Sequence, residues 1–184
     1  MTTFIAPYQS NPLDPTGLSF EERVARLEAY EAIRALKGYY AYVCDAKFDD
    51  NHQAIPQDEI DAMMKPMVDA VFTEDAQWTT GKGLYVGREA IFKRLRESDW
   101  TFAMHYYMNP IIRLDGDRAT ATWMLFEPCT HRDRNEAMWM SALTDDEYVK
   151  TAEGWRISKY TYRSKFLTPF DQPWTKPVAG VRPA

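Results

Sequence analysis

The apolar residues of this chain change period near Trp100, and that change limits what it can fold into. Before Trp100 they recur at helical spacing: Leu27, Tyr30, Ile33, Leu36, Tyr40 and Val43 form one stripe, and Ile60, Met63, Met64, Met67 and Val71 form another. After it they alternate, the pattern of strands with two distinguishable faces. Ser19-Phe20-Glu21-Glu22 fits the S-x-x-E capping box, which supplies partners for the first free helical N–H groups. Two helical stretches follow it and end near Phe48-Asp49-Asp50-Asn51. Pro56 restarts the chain, with Asp58 as the expected N-cap of the next helix. Phe72-Thr73-Glu74-Asp75 leads into a short strand, Ala76 to Thr79. Gly81-Lys82-Gly83 is a turn, and a third helix opens at Gly87 with Ile91 and Leu95 on its buried side.

Residues 101–114 read as one alternating strand that ends in Asp115-Gly116, a strong hairpin signal. Ala119, Ala121, Trp123 and Leu125 then alternate with Thr120, Thr122, Met124 and Phe126, so both faces of this strand are expected to be partly covered. A polar turn at 131–136 precedes a strand over about 137–149, with a bulge near Asp145-Asp146. Glu153-Gly154 turns into a last strand, Trp155 to Phe166. Helices first and hairpin-linked strands afterwards predict an α+β domain with an antiparallel sheet. The expected organisation is an N-terminal arm over 1–18, one domain over 19–166 and a Pro-rich tail over 167–184, with Phe170 and Trp174 as its anchors.

Composition removes several classes of function. The 184 residues carry 22 basic and 27 acidic side chains, a net charge of −5, with no basic stripe; neither nucleic acid nor anionic membrane is an expected partner. Two cysteines, Cys44 and Cys129, form no CxxC pair and suggest reduced thiols. Met1-Thr2-Thr3-Phe4 shows no basic region followed by an apolar run, so a cytoplasmic location is expected. The three histidines lack metal-ligand spacing, no Gly-rich phosphate loop follows a strand, and no G-x-S-x-G occurs. Neither metal nor cofactor is expected. An aromatic content of 14% with nine methionines suits a pocket for a flat apolar ligand.

Several segments, in order, resemble SnoaL-like proteins of the NTF2-like superfamily. They are Glu31-Ala32-Ile33-Arg34-Ala35-Leu36-Lys37 with its run to Tyr40 and Asp45, Phe72-Thr73-Glu74-Asp75-Ala76, Gly87-Arg88-Glu89-Ala90-Ile91, Asn109-Pro110-Ile111-Ile112, Asp115-Gly116-Asp117-Arg118-Ala119, and Gly154-Trp155-Arg156-Ile157. The resemblance spans about residues 20–166. It implies an α+β cone: N-terminal helices packed over a curved, mixed, mainly antiparallel sheet that encloses one pocket. Scytalone dehydratase, bile-acid 7α-dehydratase and hexachlorocyclohexane dehydrochlorinase belong to the family, and so do non-catalytic proteins.

In the lyase branches a helix-end carboxylate orients a strand histidine, and Asp45 and His105 occupy the corresponding places. The resemblance thus implies His105 as general base and Asp45 as its orienter. It also implies Tyr40, five residues before Asp45, as a phenolic donor, and Arg163 as a last-strand cation. Five residues turn a helix by about 140°, so Tyr40 and Asp45 share one pocket only if the helix bends or ends near Cys44. Alternation puts Tyr107 and Asn109 on the strand face of His105; Tyr42, Trp123 and Met67 complete the candidate substrate contacts. The plainer readings are core packing for Tyr40, a cross-sheet ion pair for Arg163, a solvated loop for His52 and an exposed hairpin for His131.

Taken together, these features predict a cofactor-independent lyase. It would act on a hydrophobic aromatic or polycyclic molecule, eliminating water or a similar small group, including formaldehyde from a lignin-derived diaryl compound. A ring isomerase, a ligand-binding protein and the small subunit of a ring-hydroxylating dioxygenase are the alternatives. The resemblance further implies a homo-oligomer, trimer or dimer.

Overall fold

A computed structural model describes residues 16–175. Most of the arm expected at 1–18, and the tail beyond 175, lie outside the described residues. The Ser19 hydroxyl accepts from the Glu22 N–H at 3.1 Å and the Glu22 carboxylate accepts from the Ser19 N–H at 2.7 Å, so the capping box forms. It starts α1 (Phe20–Asp45), one continuous helix of 26 residues in place of the two stretches the sequence suggests. No proline interrupts it, and Gly38 alone costs only about 1 kcal/mol relative to alanine. Its stripe is buried from Tyr30 onward apart from the half-buried Leu36, while Leu27 remains 64% exposed. The second helix, α2 (Gln57–Val71), takes Pro56 and not Asp58 as its N-cap, with no side-chain cap bond. Asp58 lies in the first turn, where the positive end of the helix dipole favours a carboxylate.

Seven strands form a single sheet: β1 (Phe72–Thr80), β2 (Gly83–Val86), β3 (Trp100–Ala103), β4 (Tyr106–Asp115), β5 (Arg118–His131), β6 (Glu136–Thr151) and β7 (Gly154–Pro169). A third helix, α3 (Arg88–Arg96), intervenes between β2 and β3. The order is β2-β1-β7-β6-β5-β3, with β4 also pairing β5. Only the β1–β7 pair is parallel, so the sheet is mixed and mainly antiparallel.

Three boundaries differ from the sequence reading. β1 already begins at Phe72, and β7 runs on to Pro169, three residues into the stretch assigned to the tail. The β6–β7 irregularities fall at Ser141/Ala142 and Glu147/Tyr148, on either side of Asp145-Asp146. The expected strand over 101–114 is split: β3 pairs with the end of β5 and β4 with the rest of it, leaving Met104 and His105 in the joint. Such irregularities bend and twist strands, and they curve this sheet around the helices.

α1 and α2 cover the concave face. Along β6 the buried row is Ala142, Thr144, Asp146 and Tyr148. Lys37, four residues after Ile33 on the buried stripe of α1, meets this row. Its ammonium donates to Asp146 at 2.8 Å and to Thr144 at 3.3 Å, and neither Lys37 nor Asp146 side chain reaches solvent. The rings of Tyr107 (4.0 Å) and Tyr160 (4.6 Å) close around the cation. Tyr148 donates to the same Asp146 oxygen and accepts from the Trp123 indole. A buried pair of this kind adds little net stability, but it resists breaking because the survivor is left uncompensated.

Replacing Lys37 with Met should therefore cost about 3–5 kcal/mol in chemical denaturation, and the double variant Lys37→Met/Asp146→Leu should recover most of that. Equal stability of Lys37→Met and the parent protein would show that the pair does not hold α1 to the sheet.

Candidate active site

Helix α1 ends at Asp45, and its carboxylate projects from the helix terminus to the β3–β4 joint. Because His105 lies outside both strands, its backbone N–H is not used by the sheet. That N–H donates to Asp45 Oδ2 at 2.9 Å, and the ring Nδ1 lies 2.6 Å from Asp45 Oδ1. One carboxylate thus holds the residue at two points. With Nδ1–H donated to Asp45, the other ring nitrogen, Nε2, is left with a lone pair. Nε2 is 3.4 Å from Glu127 Oε2.

Glu127 belongs to the inward row of β5, between Leu125 and Cys129, and is 2% exposed. Burial pushes its carboxyl upward, and the Asp45 charge adds to this against the opposing pull of His105 and Lys47. Burial alone would lower the His105 value. The Glu127 charge, with the hydrogen bond and charge of Asp45, outweighs it, so the net displacement is upward from 6.5. Both displacements are upward, so each group is held above its ordinary value by its surroundings. Lys47 supplies a nearby positive charge, and its ammonium donates to the Leu95 carbonyl near the end of α3 at 3.0 Å. Burial pushes the Cys44 thiol up to about 11, away from nucleophilic use near neutrality.

His105 and Glu127 border a cavity of about 860 Å³. Its inner walls include Tyr40, Trp78, Leu125, Tyr160 and Tyr162, and its mouth carries Lys82, Arg94 and Asp99. Both cations bind Asp99, at 2.6 and 2.7 Å. A second cavity of about 480 Å³ lies between α1 and β4 and is bordered by Asp45 and His105. Among the described residues no group of three or more His, Cys, Asp or Glu is arranged to hold a metal ion, and no helix is long and apolar enough to cross a membrane.

The structure distributes the sequence-based candidates unevenly. Asp45 and His105 meet. Tyr40 borders the main cavity, whereas Asp45, at the end of the same helix, borders the second and reaches His105 from there. Tyr107 stacks on the His105 ring at 6.0 Å and shares a 3.2 Å hydroxyl contact with Tyr160, but it borders only the second cavity. Trp123 is buried and also borders only that cavity.

Four expectations need correction. Tyr42 is 73% exposed, on a different side of α1 from Tyr40. Met67 is fully buried in the core and borders neither cavity. Asn109 is exposed, because a register shift between Met108 and Ile111, with a positive φ of 47° at Asn109, breaks the alternation counted from His105. Arg163 is not among them: it stands at the rim of the main cavity and makes the cross-sheet ion pair of its plainer reading, with Asp145, one residue out of the buried row of β6. His131, expected to be exposed, borders the main cavity with its ring against Trp100, and its Nδ1 is buried. His52 stacks on Phe102 at 4.2 Å.

The sequence reading missed Glu127, Lys47 and Tyr160. Glu127 had a signal: it follows Trp123 and Leu125 on the inward parity of β5, and a carboxylate in a buried apolar row needs a reason to be there.

Comparison with known proteins agrees with this architecture. A family profile described as a SnoaL-like domain matches residues 59–161. An uncharacterised protein of Mycobacterium tuberculosis is 26% identical over 147 residues, covering 79% of this chain and 88% of that protein. Among solved structures, a hexachlorocyclohexane dehydrochlorinase from Novosphingobium barchaimii superposes with a TM-score of 0.66 at 19% identity, covering 84% of this chain and 99% of its own. A scytalone-dehydratase-like protein from Novosphingobium aromaticivorans gives 0.61 at 17% identity, covering 85% and 97%. At these identities the structural likeness is one of fold, the cone of the NTF2-like superfamily.

The electrostatics carry a pH signature. The folded His105 should titrate above 6.5 by NMR, and Glu127→Gln and Asp45→Asn should each lower its midpoint. A folded value above the unfolded one means that the charged ring adds stability at pH below about 6.5, and that this is lost as pH rises through the folded midpoint. A midpoint unmoved by Glu127→Gln would separate the two groups.

Proposed function

The chain belongs to the SnoaL-like family, and on that premise we propose that it is a cofactor-independent lyase in which His105 removes a proton from a hydrophobic ring substrate. The observation that carries this reading is the clamped imidazole: Asp45 takes Nδ1 at 2.6 Å and leaves Nε2 at the wall of a largely apolar cavity. A neutral imidazole with its tautomer fixed is a base suited to neutral pH, and the carboxylate stabilises the imidazolium as it forms. The family and the fold neighbours named for dehydrochlorination and scytalone dehydration support elimination as the reaction class.

The proton inventory closes for loss of water. Nε2 takes a proton from the carbon adjacent to the one that bears the departing hydroxyl, and the C–H electron pair becomes the new double bond. Glu127, whose carboxyl burial pushes upward, enters this cycle protonated and gives its proton to the hydroxyl, which leaves as water. The imidazolium then returns a proton from Nε2 to Glu127 across 3.4 Å, restoring both groups. Tyr40, Trp78, Tyr160 and Tyr162 offer faces for an aromatic or polycyclic body, and about 860 Å³ accommodates one. Loss of formaldehyde from a diaryl diol would use the same base on the hydroxyl proton of the hydroxymethyl group: the C–C bond breaks to release formaldehyde, and its electron pair forms the new double bond as the neighbouring hydroxyl takes the Glu127 proton and leaves as water. The outer sheet face, where Phe126 stacks on Trp139 and Met124 is 47% exposed, supports association of copies, which light scattering would measure.

Turnover of a panel of diaryl diols, hydroxysteroids and their chloro analogues, with folding followed by circular dichroism, tests the assignment. His105→Ala and Asp45→Asn should stay folded and each lose more than about 100-fold in kcat. Glu127→Gln should lose about as much on a hydroxyl leaving group, but less than about tenfold on a chloride, which departs without a proton. Full activity in His105→Ala would remove the base from this site.

A further inference from the structure

We propose that the second cavity is a solvent path to the back of the Asp45–His105 pair, giving the pair access to bulk water while substrate fills the main cavity. This rests on the lyase reading for its purpose, but not for its geometry.

The imidazole is a partition. His105 borders both cavities, whereas Glu127 borders the main one and Asp45 the second. The two carboxylates therefore serve opposite sides of one ring. Their exposure agrees: the Asp45 side chain is 22% exposed and that of Glu127 is 3%. Substrate in the main cavity would cover Nε2, leaving the Nδ1–Asp45 side as the one in contact with solvent.

The second cavity opens outward. Arg34, Gly38, Tyr42 and Asp45 lie at successive turns of α1 along one wall, and Tyr106 and Met108 of β4 face them; all but Asp45 are exposed. Gly38 is central to this wall. A Cβ added there meets no atom within 4 Å, so nothing packed against the helix requires glycine at that position. Glycine inside a helix costs about 1 kcal/mol relative to alanine. What the missing side chain leaves is open space leading towards Asp45.

The proton step is simple. An imidazolium formed by proton uptake at Nε2 passes its Nδ1 proton, through Asp45, to a water in the second cavity. The products are a neutral ring and hydronium, and the same water returns the proton when Nε2 gives up its own. A polar floor of carboxylate and imidazole provides the partners that an ordered water needs.

Hydrogen–deuterium exchange at the histidine C2 position, read by mass spectrometry across pH, tests this with the main cavity occupied by saturating 1-anilinonaphthalene-8-sulfonate, a flat apolar probe that is not turned over, so that water reaches the ring from the second cavity. Gly38→Phe should fill the groove and slow exchange at His105 at least about fivefold relative to the parent, with His52 unchanged as the internal reference. Gly38→Ala, which adds only a methyl group and favours the helix, should exchange like the parent. The profile across pH separates slower access from a moved midpoint. Parent-like exchange at His105 in Gly38→Phe would overturn the path, as would equal slowing in Gly38→Ala. Neither outcome touches the lyase reading, which stands or falls on turnover by His105→Ala and Asp45→Asn.

Discussion

One fully buried ion pair determines where the long helix rests on the sheet. Lys37 and Asp146 each satisfy a charge that would be very costly to bury alone, so the rotation and axial position of α1 over β6 have little freedom. Everything at the C-terminal end of α1 inherits that placement. Asp45 lies eight residues beyond Lys37, roughly two turns further along the helix. The aromatic rings around Lys37 extend the same constraint sideways: Tyr107 stacks beneath His105, and Tyr160 forms part of the cavity wall.

The helix end then meets a defect in the sheet. A strand that continued from Ala103 into Tyr106 would spend the His105 N–H on its neighbour. Because β3 and β4 part at Met104-His105, that N–H is available, and Asp45 takes it with one oxygen and the ring with the other. Two bonds from one carboxylate fix both the position and the tautomer of the imidazole. Glu127 arrives from the opposite side through the plain alternation of β5. The site is thus built from a helix terminus, a strand break and a regular strand, three elements distant in sequence.

This geometry explains why a chain with few histidines can present a base with a defined orientation. Two carboxylates with different environments share one ring: Asp45 partly solvated, Glu127 enclosed. Burial pushes the Glu127 carboxyl upward, while Asp45 holds the side that meets the second cavity. The same ring therefore borders a larger cavity on its Glu127 side and a second cavity on its Asp45 side. The family profile and the fold neighbours fit this architecture without specifying what enters it.

The order of elements, the change of period near Trp100, the Ser19 box and the Asp115-Gly116 hairpin were legible in the sequence because each depends on neighbours a few residues away. The pairing of Asp45 with His105 was legible only through resemblance, since no local rule joins residues 60 apart. Strand alternation misplaced Asn109 because the shift between Met108 and Ile111 leaves no mark in residue type. For Arg163 the sequence left a last-strand cation and a cross-sheet ion pair side by side, because which anion meets a guanidinium depends on the register between β6 and β7. Lys37 and Glu127 sat on apolar rows as charged exceptions, and only the packed structure supplies the partners that make their burial tolerable. Local chemistry set the elements; the site was decided by where a buried charge pair and a broken strand brought those elements together.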